Sequence, residues 1–228
     1  MKMARAGTLA VMMVAALVLG GVRAEAVILP PGGAVPAVPI VFPGGTQLGS
    51  VYYPDQVSAD LKATLRAAVY RNGGGTLDFY YQVTNNSPIP PGDQVHRLTG
   101  SSFTGFTTDV FFVTNGASIA CSACAGGFFL TGSQNPFNVD RSASGSVVGF
   151  NYPLGFEVDP SETGFVVLIR TNATAFTAGV MSVINSGTIT RDAFKPTIPP
   201  VPEPASLTLL GIGLLGTGAA MRRKQKKV

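Results

Sequence analysis

Cys121 and Cys124 are the only two cysteines of this 228-residue chain, separated by Ser122 and Ala123. Three chemistries use that spacing. A dithiol redox centre needs its first cysteine at a helix N-terminus in a βαβ setting, and no helical period surrounds this pair. A zinc centre needs two more ligands, and the chain has a single histidine. A local disulfide fits best and suits an oxidising compartment. Closing so short a loop removes little unfolded-chain entropy, so its stabilising effect is modest.

The other reactive side chains are scattered. His96 stands in Asp93-Gln94-Val95-His96-Arg97 on an expected strand. No nucleophile elbow links it to a serine and an aspartate, so it reads as a strand histidine at the surface or rim, and no catalytic residue is assigned. Glu157, Asp159 and Glu162 gather around Pro160-Ser161 and are a weak calcium candidate. Their spacing fits no standard calcium loop, and Asp-Pro-Ser-Glu also makes an ordinary turn. No metal and no cofactor is assigned. Tyr80-Tyr81, Phe111-Phe112 and Phe128-Phe129 are adjacent aromatic pairs. On a strand, one member of each faces in and one out, so an outward set is a candidate sugar platform, with core filling as the simpler use. The chain has no tryptophan. Asn85-Asn86-Ser87 and Asn172-Ala173-Thr174 match the glycosylation string, a weak signal alone.

The elements that carry these residues read as β. Leu61, Ala63, Leu65, Ala67 and Val69 alternate along one run, and Leu77, Phe79, Tyr81 and Val83 along the next. Between them lies Asn72-Gly73-Gly74-Gly75, a hairpin signal in which Asn and Gly accept positive φ. Further strands are expected over 94–98, 108–114, 127–131, 146–152, 164–171, 178–184 and 187–190. Short strands at this spacing predict an all-β fold, a single antiparallel β-sandwich domain over 61–195, with a barrel as the alternative. A Pro/Gly-rich lead-in occupies 27–60 and a Pro-rich linker 196–200.

Both termini carry targeting signals. Lys2 and Arg5 precede an apolar run from Leu9 to Val22, and small residues follow. Residues 1–26 therefore read as a signal peptide, cut by signal peptidase after Ala24 or Ala26. At the other end, Pro202-Glu203-Pro204 precedes an uncharged apolar run over 205–221 and a basic stop, Arg222 to Lys227. As a helix that run spans roughly 26 Å, near the hydrocarbon thickness of a bilayer. The basic stop sets the C-terminus in the cytoplasm and the bulk of the chain outside. The string Gly211-Ile212-Gly213-Leu214-Leu215-Gly216 lies inside this span, follows no strand and makes no nucleotide site.

Residues 201–228 resemble the PEP-CTERM tail of Gram-negative bacteria, the sorting signal handled by exosortases. The resemblance implies a transmembrane sorting helix that anchors the chain until it is processed at the motif, Pro202, Glu203 and Pro204. It also implies release to the cell surface or extracellular space. The tail family is also labelled an ice-binding protein C-terminal motif, a label that says nothing of ice binding here. The segments 68–72, 76–83 and 170–174 resemble a recurring exported type of PEP-CTERM protein, which implies class and location only.

The targeting segments explain the basic composition. Of 16 basic residues, eight lie in them, as do Glu25 and Glu203 among 12 acidic ones; the exported part keeps 8 against 10, a net charge of −2. It has no basic run, so no nucleic-acid partner is expected. The expected function is a structural or adhesive role at the surface or in an exopolysaccharide-rich biofilm matrix, without catalysis. A module binding glycan, calcium or ice is the alternative, and a secreted hydrolase is the least supported.

Overall fold

The computed structural model describes residues 28–59, 61–88, 93–185 and 187–199. The signal peptide expected over 1–26 and the sorting tail over 201–228, with its membrane helix at 205–221, lie outside them. Among the described residues no helix is long and apolar enough to cross a membrane.

Among the described residues, twelve strands follow in chain order: β1 (Ala34–Pro36), β2 (Pro39–Ile40), β3 (Thr46–Ser58), β4 (Leu61–Arg71), β5 (Leu77–Asn85), β6 (Arg97–Ser101), β7 (Thr108–Val113), β8 (Asn138–Arg141), β9 (Val147–Asn151), β10 (Val166–Thr171), β11 (Ala175–Ile184) and β12 (Thr188–Thr197). They form two six-stranded sheets. Sheet I has the order β2-β7-β10-β5-β4-β3 and sheet II the order β1-β8-β9-β6-β11-β12. Two separate sheets make a sandwich, not a barrel. All pairs are antiparallel except β2 with β7, which is parallel, so sheet I is mixed at that edge.

The alternation over 61–85 forms the β4–β5 hairpin, in register from Ala63↔Asn85 to Arg71↔Leu77. In its turn only Gly75 takes a left-handed φ, +82°. Asn72 contributes its side chain instead: Oδ1 accepts from the amides of Gly74 at 3.0 Å and Thr76 at 3.2 Å.

The domain is larger than the alternation indicates. Residues 46–58 of the expected lead-in are the longest strand, β3, paired along β4. Leu29 is fully buried. β3 hides its period because it is an edge strand with two register shifts, at Gln47/Gly49 and Tyr53/Gln56. The Pro/Gly stretch before it carries the chain from sheet II to sheet I through β1 and β2. At the other end β12 runs through Pro196 to Thr197, beyond the expected boundary at 195 and into the expected linker. The strand expected over 127–131 is absent. That stretch makes a 3-10 turn over Ala125–Gly127 and one bridge, Ala120↔Phe128.

Two apolar layers result. The first lies between the sheets and holds Leu65, Phe79, Tyr81, Leu98, Phe150 and Ile169. The second lies on the outer face of sheet I, where Tyr70, Tyr80, Phe111 and Leu168 are covered by Ile119, Cys121, Cys124 and Phe129. Tyr70 and Tyr80 meet edge to face with centroids 5.2 Å apart, a favourable quadrupole geometry. The aromatic pairs therefore split as the pleat requires. Tyr80 and Phe111 face outward from the sheet but are buried beneath a loop, so they form no sugar platform. Phe128 is 49 % exposed and Phe129 1 %.

That contrast yields a stability prediction. Phe129→Ala opens a cavity in the outer layer and costs about 3–5 kcal/mol. Phe128→Ala stays within about 1 kcal/mol. Urea unfolding of both variants checks this, and equal losses would remove the case for a second core.

Candidate functional site

The loop over sheet I is held by polar groups placed at its contact points. Tyr70 donates its hydroxyl to the Ala120 carbonyl at 2.5 Å, and burial pushes its pKa up to about 12. Buried Gln82 grips Leu130 from both sides, donating to its carbonyl at 2.8 Å and accepting from its amide at 3.0 Å. Cys121 and Cys124 are joined by a disulfide inside this loop, with Cα atoms 5.2 Å apart. Cys121 is fully buried and Cys124 nearly so, an arrangement for holding the cover closed.

At the end of the sandwich where β4 turns into β5, three sequence segments meet. Asp78 is fully buried and accepts from Arg170 Nε at 3.1 Å, Arg170 Nη2 at 3.0 Å and Asn72 Nδ2 at 2.8 Å. The bond to Asp78 holds the Arg170 guanidinium firmly protonated. The stretch after it joins the same corner: Leu77 donates its amide to Ala173 O at 2.9 Å, and Thr171 donates its hydroxyl to Leu77 O at 3.0 Å. The segments 68–72, 76–83 and 170–174, singled out in the sequence, thus form one structural corner. An open hollow of about 360 Å³ lies beside it, lined by Pro43, Asn72, Thr76 and Arg170.

A second network lies on the outer face of sheet II. Arg97 pairs with both oxygens of Asp140, at 2.5 and 2.6 Å, and also donates to Asn151 Oδ1. Asn151 donates to Asp140 at 2.7 Å and to Asn138 at 2.9 Å. The guanidinium occupies the space over Gly149 that a Cβ would fill. Hydrogen bonding from Arg97 holds the Asp140 carboxyl below its ordinary pKa. Next to Asn138 a groove of about 310 Å³ runs along Ala34, Val35, Pro36 and Phe137. Sequence reasoning missed this network because β8 has four residues and no readable period, and the pairing of β6, β8 and β9 is what assembles it.

A third cation, Arg141, is buried without a carboxylate. It donates to the carbonyls of Gly145, Leu29, Phe103 and Phe106 and to Thr108 Oγ1, at 2.8 to 3.2 Å. It pins the first described strand region to two loops.

The remaining candidates do not converge. Glu157 is buried and accepts from the Gly155 amide at 2.5 Å. Asp159 accepts from Gln94 at 2.7 Å, and Glu162 accepts from the Asp159 amide at 3.1 Å. Among the described residues no group of three or more His, Cys, Asp or Glu side chains is set to hold a metal ion. The loop binds its own backbone instead. His96 is exposed, and its backbone pairs with Ile184 and Tyr152. Asn85 is fully buried and donates to the carbonyls of Asp93 and Val158. Asn172 accepts from the Thr107 amide at 3.0 Å. Pro202, Glu203 and Pro204 lie outside the described residues.

The fold and the side chains define an all-β sandwich whose buried polar groups hold its frame. Residues 200–224 match the PEP-CTERM protein-sorting motif. The chain carries a PEP-CTERM sorting tail, which makes it an exported protein directed to exosortase processing through a membrane-anchored tail. No curated protein and no solved structure matches the chain.

The Asp140 shift fixes a pH dependence. Its folded-state pKa lies below the unfolded value of about 3.9, so the contacts of the Asp140 carboxylate with Arg97 and Asn151 stabilise the fold above that pH. This contribution disappears as pH falls through the lowered value. In thermal melts below about pH 4, wild type should lose melting temperature more steeply than Asp140→Asn. Parallel curves would show that the network does not couple to the fold.

Proposed function

We propose that this is a surface or extracellular-matrix protein of a Gram-negative bacterium with a structural or adhesive role and no catalysis. The observation that carries this reading is the sorting motif itself, which begins within three residues of the last strand. It joins an export signal to a rigid sandwich with almost no chain between them. The commitment of Asp78, Arg170, Gln82, Asn85 and Arg141 to framework bonds supports a protein that presents a surface. Signal peptidase acts at the N-terminus and exosortase at Pro202-Glu203-Pro204. The helix over 205–221 holds the chain in the inner membrane, C-terminus in the cytoplasm, until that cut.

A second reading is favoured by one feature, the outer face of sheet II. There the fixed charges of Arg97 and Asp140 cancel, Asn138 presents an amide that Asn151 holds in place, and Phe137 walls a shallow apolar groove. Amides and a fixed ion pair suit vicinal hydroxyls, and an apolar wall suits the C–H face of a sugar ring. An uncharged exopolysaccharide is the ligand class that this face fits. Calcium and ice have no comparable feature in their favour.

Two measurements test these readings. The mature protein from its native host should lack Arg222 to Lys227 by intact mass, and joint Pro202→Ala and Glu203→Ala substitution should leave the tail in place. A wild-type mass that retains the tail would make it a permanent anchor. On a polysaccharide array, Asn138→Ala should weaken retention about fivefold, the net worth of a neutral hydrogen bond, and Arg97→Ala at least about tenfold, that of a bond to a charged group. Retention unchanged in both variants would exclude this face.

A further inference from the structure

We infer that the sandwich presents one fixed end to the membrane and the processing enzyme: the end bearing the Asn72–Thr76 turn and the Asn172–Thr174 link. The inference rests on the processing reading above and deepens it by naming the surface that the enzyme meets.

β12 is paired with β11 up to its last residue, in the pair Ala175↔Thr197, so the body of the domain holds the chain as far as Thr197. Ala175 follows directly on the Asn172–Thr174 link. Arg71 donates to Thr174 O at 3.4 Å, and Leu77 donates to Ala173 O at 2.9 Å. Thr46, where β3 begins, pairs with Arg71. The exit point of the tail, the 72–76 turn and the hollow beside Arg170 therefore share one end.

Five residue steps separate Thr197 from Pro202, and eight separate it from Ala205. Even fully extended, these steps reach at most about 18 Å and about 29 Å. The opposite end is marked by the β11–β12 turn, where Asn185 donates to Gly187 O at 2.9 Å. The ten residues of β11 place that turn roughly 30 Å from Thr197 along the strand. The motif reaches about 18 Å at most and cannot pass the far end, so an enzyme acting at Pro202–Pro204 works against the near end. The near end is low in relief: Gly73 and Gly74 are exposed and carry no side chain. Arg71 is exposed there as well, and the Arg170 side chain keeps 28 % of its surface.

Bulk placed at either end tests this in the full chain in its native host. A small folded domain is inserted between Gly73 and Gly74 at the near end. In a second variant it is inserted between Leu154 and Gly155, in the turn after β9, where Leu154 is 91 % exposed. This turn lies at the far end, because Arg97 pairs with both Asn151 and Ile184. Intact mass then gives the fraction of processed tail over time. Processing should slow at least about tenfold in the near-end variant, since geometry forbids simultaneous engagement, and proceed at the wild-type rate in the far-end variant. A flexible spacer of about a dozen residues between Ile198 and Pro199 should restore processing of the near-end variant. Restoration also shows that the insertion does not act by misfolding. Equal processing of the two insertions, or no rescue by the spacer, overturns the inference. An uncut wild-type tail overturns the processing reading instead.

Discussion

Sheet I is apolar on both of its faces, and a single strand shows why this shapes the molecule. In β5 every residue from Leu77 to Val83 is buried, as is Asn85. A sandwich sheet ordinarily turns one face to its partner sheet and the other to water. Here Phe79 and Tyr81 fill the space between the sheets, while Tyr80 and its neighbours Tyr70 and Phe111 need a cover of their own. The chain between β7 and β8 supplies it. Because a loop cannot hide its backbone polar groups in an apolar layer without partners, the cover carries internal turns and accepts bonds from Tyr70 and Gln82. The disulfide lies within this cover and belongs to the same buried cluster as Tyr70, Tyr80 and Phe111.

Sheet II solves a different problem. Its outer face remains open, so charge is tolerated there, provided that the partners are fixed. Arg97 and Asp140 meet across the sheet with Asn151 between them, and the absence of a side chain at Gly149 gives the guanidinium a place to lie flat. Arg141, a buried cation, uses carbonyls instead of a carboxylate. Four carbonyls and a hydroxyl satisfy its donors while leaving no second charge to desolvate. The ion pair at Asp78 lies between these cases: the carboxylate is buried and the arginine side chain is partly exposed.

How far the sequence discloses this depends on whether a feature is local. The β4–β5 hairpin is local, and its two alternating runs and Asn-Gly-Gly-Gly turn identify it directly. The sorting tail is local too, a motif, an apolar run and a basic stop in one line. β3 is not legible, because an edge strand with two bulges loses the period that would mark it. β8 is too short to show a period. The Cys121–Cys124 loop reads as a small closed ring, but nothing near it in sequence says that it covers an aromatic layer built from β4, β5 and β7. The Arg97 network joins three strands that are neighbours only in the folded sheet. Asn72 is legible as a turn residue, but it shapes the turn through its side chain, while the left-handed backbone falls on Gly75.

The clasp of Arg141 on Leu29 has a consequence for biogenesis. The first strand, β1, pairs with β8, and Leu29 hydrogen-bonds to Thr108 and Arg141. A chain exported N-terminus first therefore exposes its leading segment long before the strands that receive it have emerged. Sheet II is not complete until β12 has crossed, directly ahead of the tail. Such distant pairings belong to the slow, millisecond-to-second class of folding. The lead-in, rich in proline and glycine, is a fitting first arrival: it has little tendency to pair with itself or with neighbouring copies while it waits.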